Sequence, residues 1–254
     1  MRIDLNSDLG EGYGPWKMGE DAQILSVVTS ANVACGGHAS DPDTMVETLL
    51  LAKAQGVVVG AHPGYADPMG FGRRVIPMSP REIERMVACQ IGALMGAAAL
   101  AGVKIGYVKA HGALANLAAD DRSVADAIAR ATAAVSRDLA VLAISGTEQE
   151  PAAEAAGLTV YSEIFADRAY LPNGRLVPRS RDGAMIKDAE TAAARLVAFL
   201  QSGLMPTLDG PAIALKAQSI CVHGDSAHAV AMAANIRSSL TTAGVTLAAF
   251  LAPT

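Results

Sequence analysis

The sequence predicts a single α/β domain, barrel-like or doubly wound, and three observations predict it. Short apolar runs alternate with helix-length, alanine-rich segments about seven times along the 254 residues. Hydrophobic residues make up 51% of the chain but aromatics only 4%, so the core must be Ala, Val, Leu and Ile, which suits helices packed closely on a parallel sheet. Polar residues gather just after the apolar runs, where such folds place their sites. No linker or shift in composition divides residues 1–254.

Ile3–Asn6 reads as the first strand, feeding a loop, Asn6-Ser7-Asp8-Leu9-Gly10-Glu11-Gly12-Tyr13-Gly14. Its two carboxylates and three glycines look like a site, because glycine lets backbone approach a ligand. The second strand is expected at Val27–Val33, running into Asn32-Val33-Ala34-Cys35-Gly36-Gly37-His38. Ser40-Asp41-Pro42 then supplies a cap and a first-turn proline for a helix over 43–55, with Gly56 as its stop. Val57–Val59 is the third strand, ending at His62, and a polar loop runs from Tyr65 to Arg74. Ser79-Pro80-Arg81-Glu82 has the form of a capping box for a long helix to Ala101. Lys104–Val108 is the fourth strand, Asp121–Val135 a helix, Ala140–Ile144 the fifth strand, Gln149–Ala156 a short helix and Leu158–Phe165 the sixth strand. The irregular, arginine-bearing stretch Gly174–Met185 is expected to cover the site. Asp188–Gln201 is a helix, Ser219–Val222 the seventh strand and His228–Ala243 the last helix.

A net charge of −5 and the lack of a basic run argue against a nucleic-acid surface. No apolar run is expected to cross a membrane, and the opening Met1-Arg2-Ile3-Asp4-Leu5-Asn6 does not read as a secretory leader. Cys35, Cys89 and Cys221 are too scattered for a disulfide framework or a zinc knuckle, so a reducing, cytoplasmic setting is expected. A thiol nucleophile is the lesser reading, since a cysteine ending an apolar strand is usually a small hydrophobe.

Four of the five histidines, His38, His62, His111 and His223, end an apolar run beside Gly or Pro. One such residue is usually structural. Four at equivalent positions, with Asp8 and Glu11, point to a shared site. Asp8, His38 and His62 are the trio that would hold a divalent metal, although no HExxH-type spacing occurs and the same groups can orient an organic substrate. Lys109, two residues before His111, suits an oxyanion or phosphate, or else a buried ion pair with Asp8 or Glu11. Arg73, Arg74 and the Asp167-Arg168 pair follow strands and are candidates for anion recognition or for loop ion pairs. His228 reads as a surface or capping residue. Neither a dinucleotide fingerprint nor a Walker loop is present.

These segments together resemble the LamB/YcsF family. The likeness rests on Asn6-Ser7-Asp8-Leu9-Gly10-Glu11, the stretch from Asn32 to Pro42, Gly60-Ala61-His62-Pro63 and Gly70-Phe71-Gly72-Arg73-Arg74. It continues through Val108-Lys109-Ala110-His111-Gly112-Ala113-Leu114, Glu163-Ile164-Phe165-Ala166-Asp167-Arg168 and Cys221-Val222-His223-Gly224-Asp225, in family order. The resemblance implies one distorted seven-stranded β/α barrel of the glycoside hydrolase/deacetylase type. It implies ATP-driven opening of 5-oxo-L-proline to L-glutamate, with Mg²⁺ accompanying the ATP and with the separate B and C subunits of a 5-oxoprolinase. For such a reaction the candidate catalytic residues are Asp8, Glu11, His38, His62, Lys109 and His111, and the candidates for substrate or phosphate binding are Asn6, Arg73, Arg74, Asp167, Arg168, His223 and Asp225. Gly37, Ala110 and Ala115 stand where the family carries an aromatic, Pro and Tyr, and each is expected to enlarge the pocket. The rival readings are a metal-dependent amide or carbohydrate deacetylase, or a subunit that binds a lactam without turning it over.

Overall fold

The computed structural model describes residues 1–224 and 226–252. Six parallel strands follow one another around a barrel: β1 (Arg2–Leu9), β2 (Ser30–Ala34), β3 (Val58–His62), β4 (Ile105–Val108), β5 (Ala140–Ile144) and β6 (Val160–Phe165). A small antiparallel pair, β7 (Leu204–Met205) and β8 (Ile213–Ala214), lies outside it. Strand β9 (Ser219–Cys221) pairs with both β6 and β1 and so closes the seven-stranded barrel. A last short strand, β10 (Thr246–Leu247), adds to the start of β1.

Helices α1 (Asp21–Ile24), α2 (Pro42–Ala54), α3 (Pro80–Ala101), α4 (Gly112–Asp120), α5 (Arg122–Val135), α6 (Gln149–Ala155), α7 (Ala189–Ser202) and α8 (Ala227–Thr242) follow the strands. The local signals explain their starts. The Asp41 carboxylate accepts from the backbone of Asp43 and Thr44 ahead of Pro42, and Ser79 with Glu82 forms a reciprocal capping box. Helix α3 has the length and apolar character of a membrane span, contrary to the sequence expectation. It is nevertheless a layer of the barrel: Ile83, Val87, Ile91, Leu94 and Ala98 are buried on one face, and it packs on α5 and α2.

Besides the short elements α1, β7, β8 and β10, which the sequence pattern does not signal, three others depart from expectation. Strand β1 continues to Leu9, so Asp8 stands on a strand and not in the glycine loop. Strand β2 begins at Ser30, because Val27 and Val28 are buried in the turn after α1 without joining the sheet. Helix α4 begins directly after His111 and was not anticipated; the apolar run there is short and opens on a glycine.

Apolar side chains fill the space between strands and helices. The barrel interior is different. Alternate residues of β1, Asp4, Asn6 and Asp8, all meet polar partners from neighbouring strands. Below them, the rings of Tyr107, Tyr161 and Phe250 pack as a plug. Gly60 makes room for this, because a Cβ there would collide with the Tyr107 ring, whose hydroxyl donates to Asn32 Oδ1 at 2.7 Å.

Candidate active site

The C-terminal ends of the strands converge on one cleft of about 820 Å³. Asp8 comes from β1, His62 ends β3, Lys109 and His111 follow β4, Glu163 lies on β6 and His223 follows β9. Glu11 reaches the same cleft from the loop after β1.

Lys109 is buried among anions. Its Nζ lies 3.0 Å from Asp8 Oδ1 and 2.8 Å from Glu163 Oε2, and it donates to Asn6 Oδ1 at 3.2 Å. Burial alone would push this ammonium down, yet the surrounding negative charge, Asp8 foremost, holds it well above the usual lysine range. Burial likewise works to raise Asp8, but His62 and Lys109 hold it well below the usual carboxylate range. Glu163, with no exposure, is pushed up by burial and drawn back by Lys109. Sequence reasoning anticipated the Lys109–Asp8 pair but not Glu163 as a member; the signal was a lone carboxylate inside the apolar run Val160–Phe165.

Beside this triad the histidines form a compact group. Glu11, His38, His62 and His111 bring one ligand atom each to within 4.8 Å of one another. The rings of His38 and His111 stack at 3.6 Å with 3° between their planes. Phe71 sits edge-on to both at 5.4 Å. Burial, with His62 next, pushes His38 down to about 3, so its ring is neutral at ordinary pH. Burial and the Asp8 charge push the Glu11 carboxyl up to about 8.

The loop Gly70-Phe71-Gly72 is pressed onto these rings. Phe71 itself adopts a left-handed φ of 53°, an uncommon conformation for a bulky residue, and its carbonyl lies 2.9 Å from His111 Nε2. Gly112, with φ of 55°, lets α4 start against this loop: a Cβ there would stand 2.7 Å from the Gly72 carbonyl oxygen. The family motif around Phe71 thus acts through its backbone, which residue types alone did not reveal.

The remaining expected residues divide. Asn6 is fully buried and hydrogen-bonds Ser219, Asn32 and Lys109, so it orders the cleft floor from beneath. Arg73, Arg168 and His223 line the cleft, joined by Arg175 and Arg179 from the stretch expected to cover the site. Asp167 lies behind the cleft wall, with Oδ2 2.7 Å from His223 Nδ1, and holds that imidazole above its ordinary range against the effect of burial. Arg74 points away and pairs with Asp67, its side chain 66% exposed. Asp225 lies outside the described residues. His228 is exposed on α8, and Ser226 supplies the cap.

The glycines of residues 10–14 do not line the cleft; a Cβ on Gly10 would press on Thr48 and Val33. Gly37 also fails to open the pocket, since a Cβ there would run into the Gln90 amide. Ala110 and Ala115 do line the cleft. Burial pushes the Cys35 thiol up to about 12 and Cys221 well above its usual range, so both stay protonated as small buried groups.

Fold and site together define an α/β barrel with titratable side chains concentrated at the C-terminal mouth. The peptidoglycan N-acetylglucosamine deacetylase catalytic domain of Eubacterium rectale has this barrel type (TM-score 0.53, 11% identity, 99% of this chain and 89% of that one covered), a likeness of fold alone. The model of the LamB/YcsF family matches residues 3–253, and the chain belongs to that family. It is 49% identical to the A subunit of the 5-oxoprolinase of Rhodopseudomonas palustris over 98% of both chains. The lactam utilization protein of Thermus thermophilus superposes with a TM-score of 0.93 at 44% identity, covering 98% of this chain and all of that one.

Proposed function

We propose that this chain is the ring-opening subunit of an ATP-coupled 5-oxoprolinase, converting 5-oxo-L-proline to L-glutamate in the cytoplasm together with B and C partner subunits. The observation that carries the reading is the near-full-length likeness to a 5-oxoprolinase component, 49% identical over 98% of both chains. The site chemistry agrees with it.

A lactam carbonyl is a poor electrophile because nitrogen donates into it. Transfer of the γ-phosphoryl group of ATP, as its Mg²⁺ complex, to the lactam oxygen removes that protection. Water then adds to the carbon and the C–N bond breaks, with a proton delivered to nitrogen. A second water hydrolyses the acyl phosphate to glutamate and phosphate. Such a sequence needs cations for the phosphoryl oxygens and carboxylates to orient water. Lys109 supplies charge at the cleft floor, and Arg73, Arg168 and Arg179 supply it on the walls for the substrate carboxylate or a phosphoryl group. Asp8, held ionised, orients the attacking water and fixes Lys109.

The test is glutamate release from 5-oxo-L-proline by the purified chain, alone and with the B and C subunits, with and without ATP and Mg²⁺. Turnover requiring both ATP and partners supports the reading. Hydrolysis of amides or acetylated sugars by the isolated chain without ATP replaces it with the deacetylase reading.

A further inference from the structure

The protons on two histidines of the cleft are fixed by backbone. His62 Nδ1 lies 2.8 Å from the Lys109 carbonyl oxygen, and His111 Nε2 lies 2.9 Å from that of Phe71. A carbonyl oxygen only accepts, so each of these nitrogens carries hydrogen. In the neutral imidazoles the other nitrogens, His62 Nε2 and His111 Nδ1, are then bare lone pairs, and they stand 3.0 Å apart. Two more acceptors crowd the same space: Asp8 Oδ1 is 3.3 Å from His62 Nε2, and Glu11 Oε1 is 3.7 Å from His111 Nδ1. Lys109 and Asn32 already answer Asp8 Oδ1, which leaves three electron-rich atoms that repel one another unless protons or a cation lie among them.

We infer that a single divalent cation of the zinc class lies there, bound by His62 Nε2, His111 Nδ1 and the Glu11 carboxylate. Two nitrogens on one tetrahedral zinc ion, each about 2.0–2.1 Å from it, stand roughly 3.3 Å apart, close to the spacing here. An imidazole whose second nitrogen donates to a backbone carbonyl is the usual arrangement of a metal ligand. Protons would have to relieve these contacts pair by pair, one between the two rings and another on the Glu11 carboxyl, whereas one cation relieves them together, and titration with Zn²⁺ separates the two cases. Asp8 Oδ1 already accepts from Lys109 and Asn32, at 3.0 and 2.9 Å, and is the ionised neighbour rather than a ligand.

His38 has a different part. Its Nε2 lies 3.1 Å from Glu11 Oε1, while Nδ1 is buried without a partner among the described residues. Hydrogen on Nε2 gives the carboxylate a donor, whereas hydrogen on Nδ1 would strand a buried N–H, the costlier arrangement. His38 is therefore a positioning residue that aims Glu11. Of the trio expected from sequence, only His62 remains a ligand. A zinc-class ion here would polarise a substrate carbonyl or acidify a bound water.

The site does not depend on which substrate the chain opens. The full-length chain, stripped with chelator and carrying Cys89→Ser to remove the exposed thiol, is titrated with Zn²⁺ by calorimetry, and its Co²⁺ form is read by visible absorption. One equivalent per chain is expected. His62→Ala, His111→Ala and Glu11→Ala should each lose it. His38→Ala should still bind one equivalent, weakened by about 10–100-fold, and His38→Asn, which keeps an N–H donor, should recover part of that loss. Thermal melts by circular dichroism show which variants remain folded. Failure of the parent chain to bind stoichiometrically overturns the site. Loss in a folded His38→Ala variant as complete as in His62→Ala overturns the ligand assignment.

Discussion

Asp4 and Asp8 stand four residues apart on β1 and face the same barrel interior, yet their surroundings drive them in opposite directions. Asp4, near the floor, receives hydroxyl groups only: Thr29 Oγ1 at 2.5 Å, Ser30 Oγ at 2.6 Å, and Ser219 Oγ. Burial outweighs these hydrogen bonds and pushes its carboxyl up to about 6. Asp8, at the mouth, is less enclosed, faces His62 and Lys109, and is held well below the usual range. Neutral donors soften the cost of a buried charge, whereas a fixed cation reverses it. At the floor, hydroxyls from two neighbouring strands and the loop before β2 tie Asp4 in place, whereas at the mouth Lys109 and His62 keep Asp8 ionised.

Removing the cation is the strongest way to break this contrast. Lys109→Met takes the shared cation from Asp8 and Glu163 and should destabilise the fold by about 3–5 kcal/mol, measured by urea unfolding at neutral pH. A loss under about 1 kcal/mol would mean that the carboxylates find other partners.

Asp4 sharpens the contrast through pH. Its folded pKa is raised, so its contribution is full below the unfolded value of 3.8 and is lost as pH rises through about 6. At about 1.4 kcal/mol per pKa unit, the stability of Asp4→Asn relative to the parent should improve by ~2.4 kcal/mol between pH 4 and pH 7. A difference that is flat with pH would show that the hydroxyls compensate fully. Asp8 has the opposite sign: its contribution is present above the ordinary carboxylate range and is lost as pH falls.

The adjacent arginines give the smallest and most selective effect. Arg73 lines the cleft, and Arg74 is bound to Asp67 outside it. Arg73→Ala should raise KM for the anionic substrate by about tenfold, the worth of a hydrogen bond to a charged group. Arg74→Ala should leave kcat and KM within about twofold. Equal effects would place both on the substrate.

The sequence was informative where a residue type is unusual for its element. Histidines ending apolar runs, and Lys109 after one, marked the mouth because such positions are otherwise filled by small or apolar groups. It was less informative inside the barrel. Polar residues alternating inward on β1 resemble a loop when only apolar runs are counted, so Asp8 was expected past the strand end and Glu163 was overlooked. Backbone groups left no trace at all: the Phe71 carbonyl that sets the His111 tautomer is invisible in a string of side chains. For a related reason the sequence left Arg74 open between an anion ligand and a loop ion pair and gave no sign of what Gly37 packs against, since their partners, Asp67 and Gln90, decide where they face.

The most direct test of the account is glutamate formation from 5-oxo-L-proline by the assembly with B and C subunits, comparing parent and Lys109→Met chains at a temperature where both are folded. The parent should show ATP-dependent turnover and the variant a fall of at least about 100-fold, the cost of removing a preorganised, buried charge. Turnover by the variant within about twofold of the parent would contradict this.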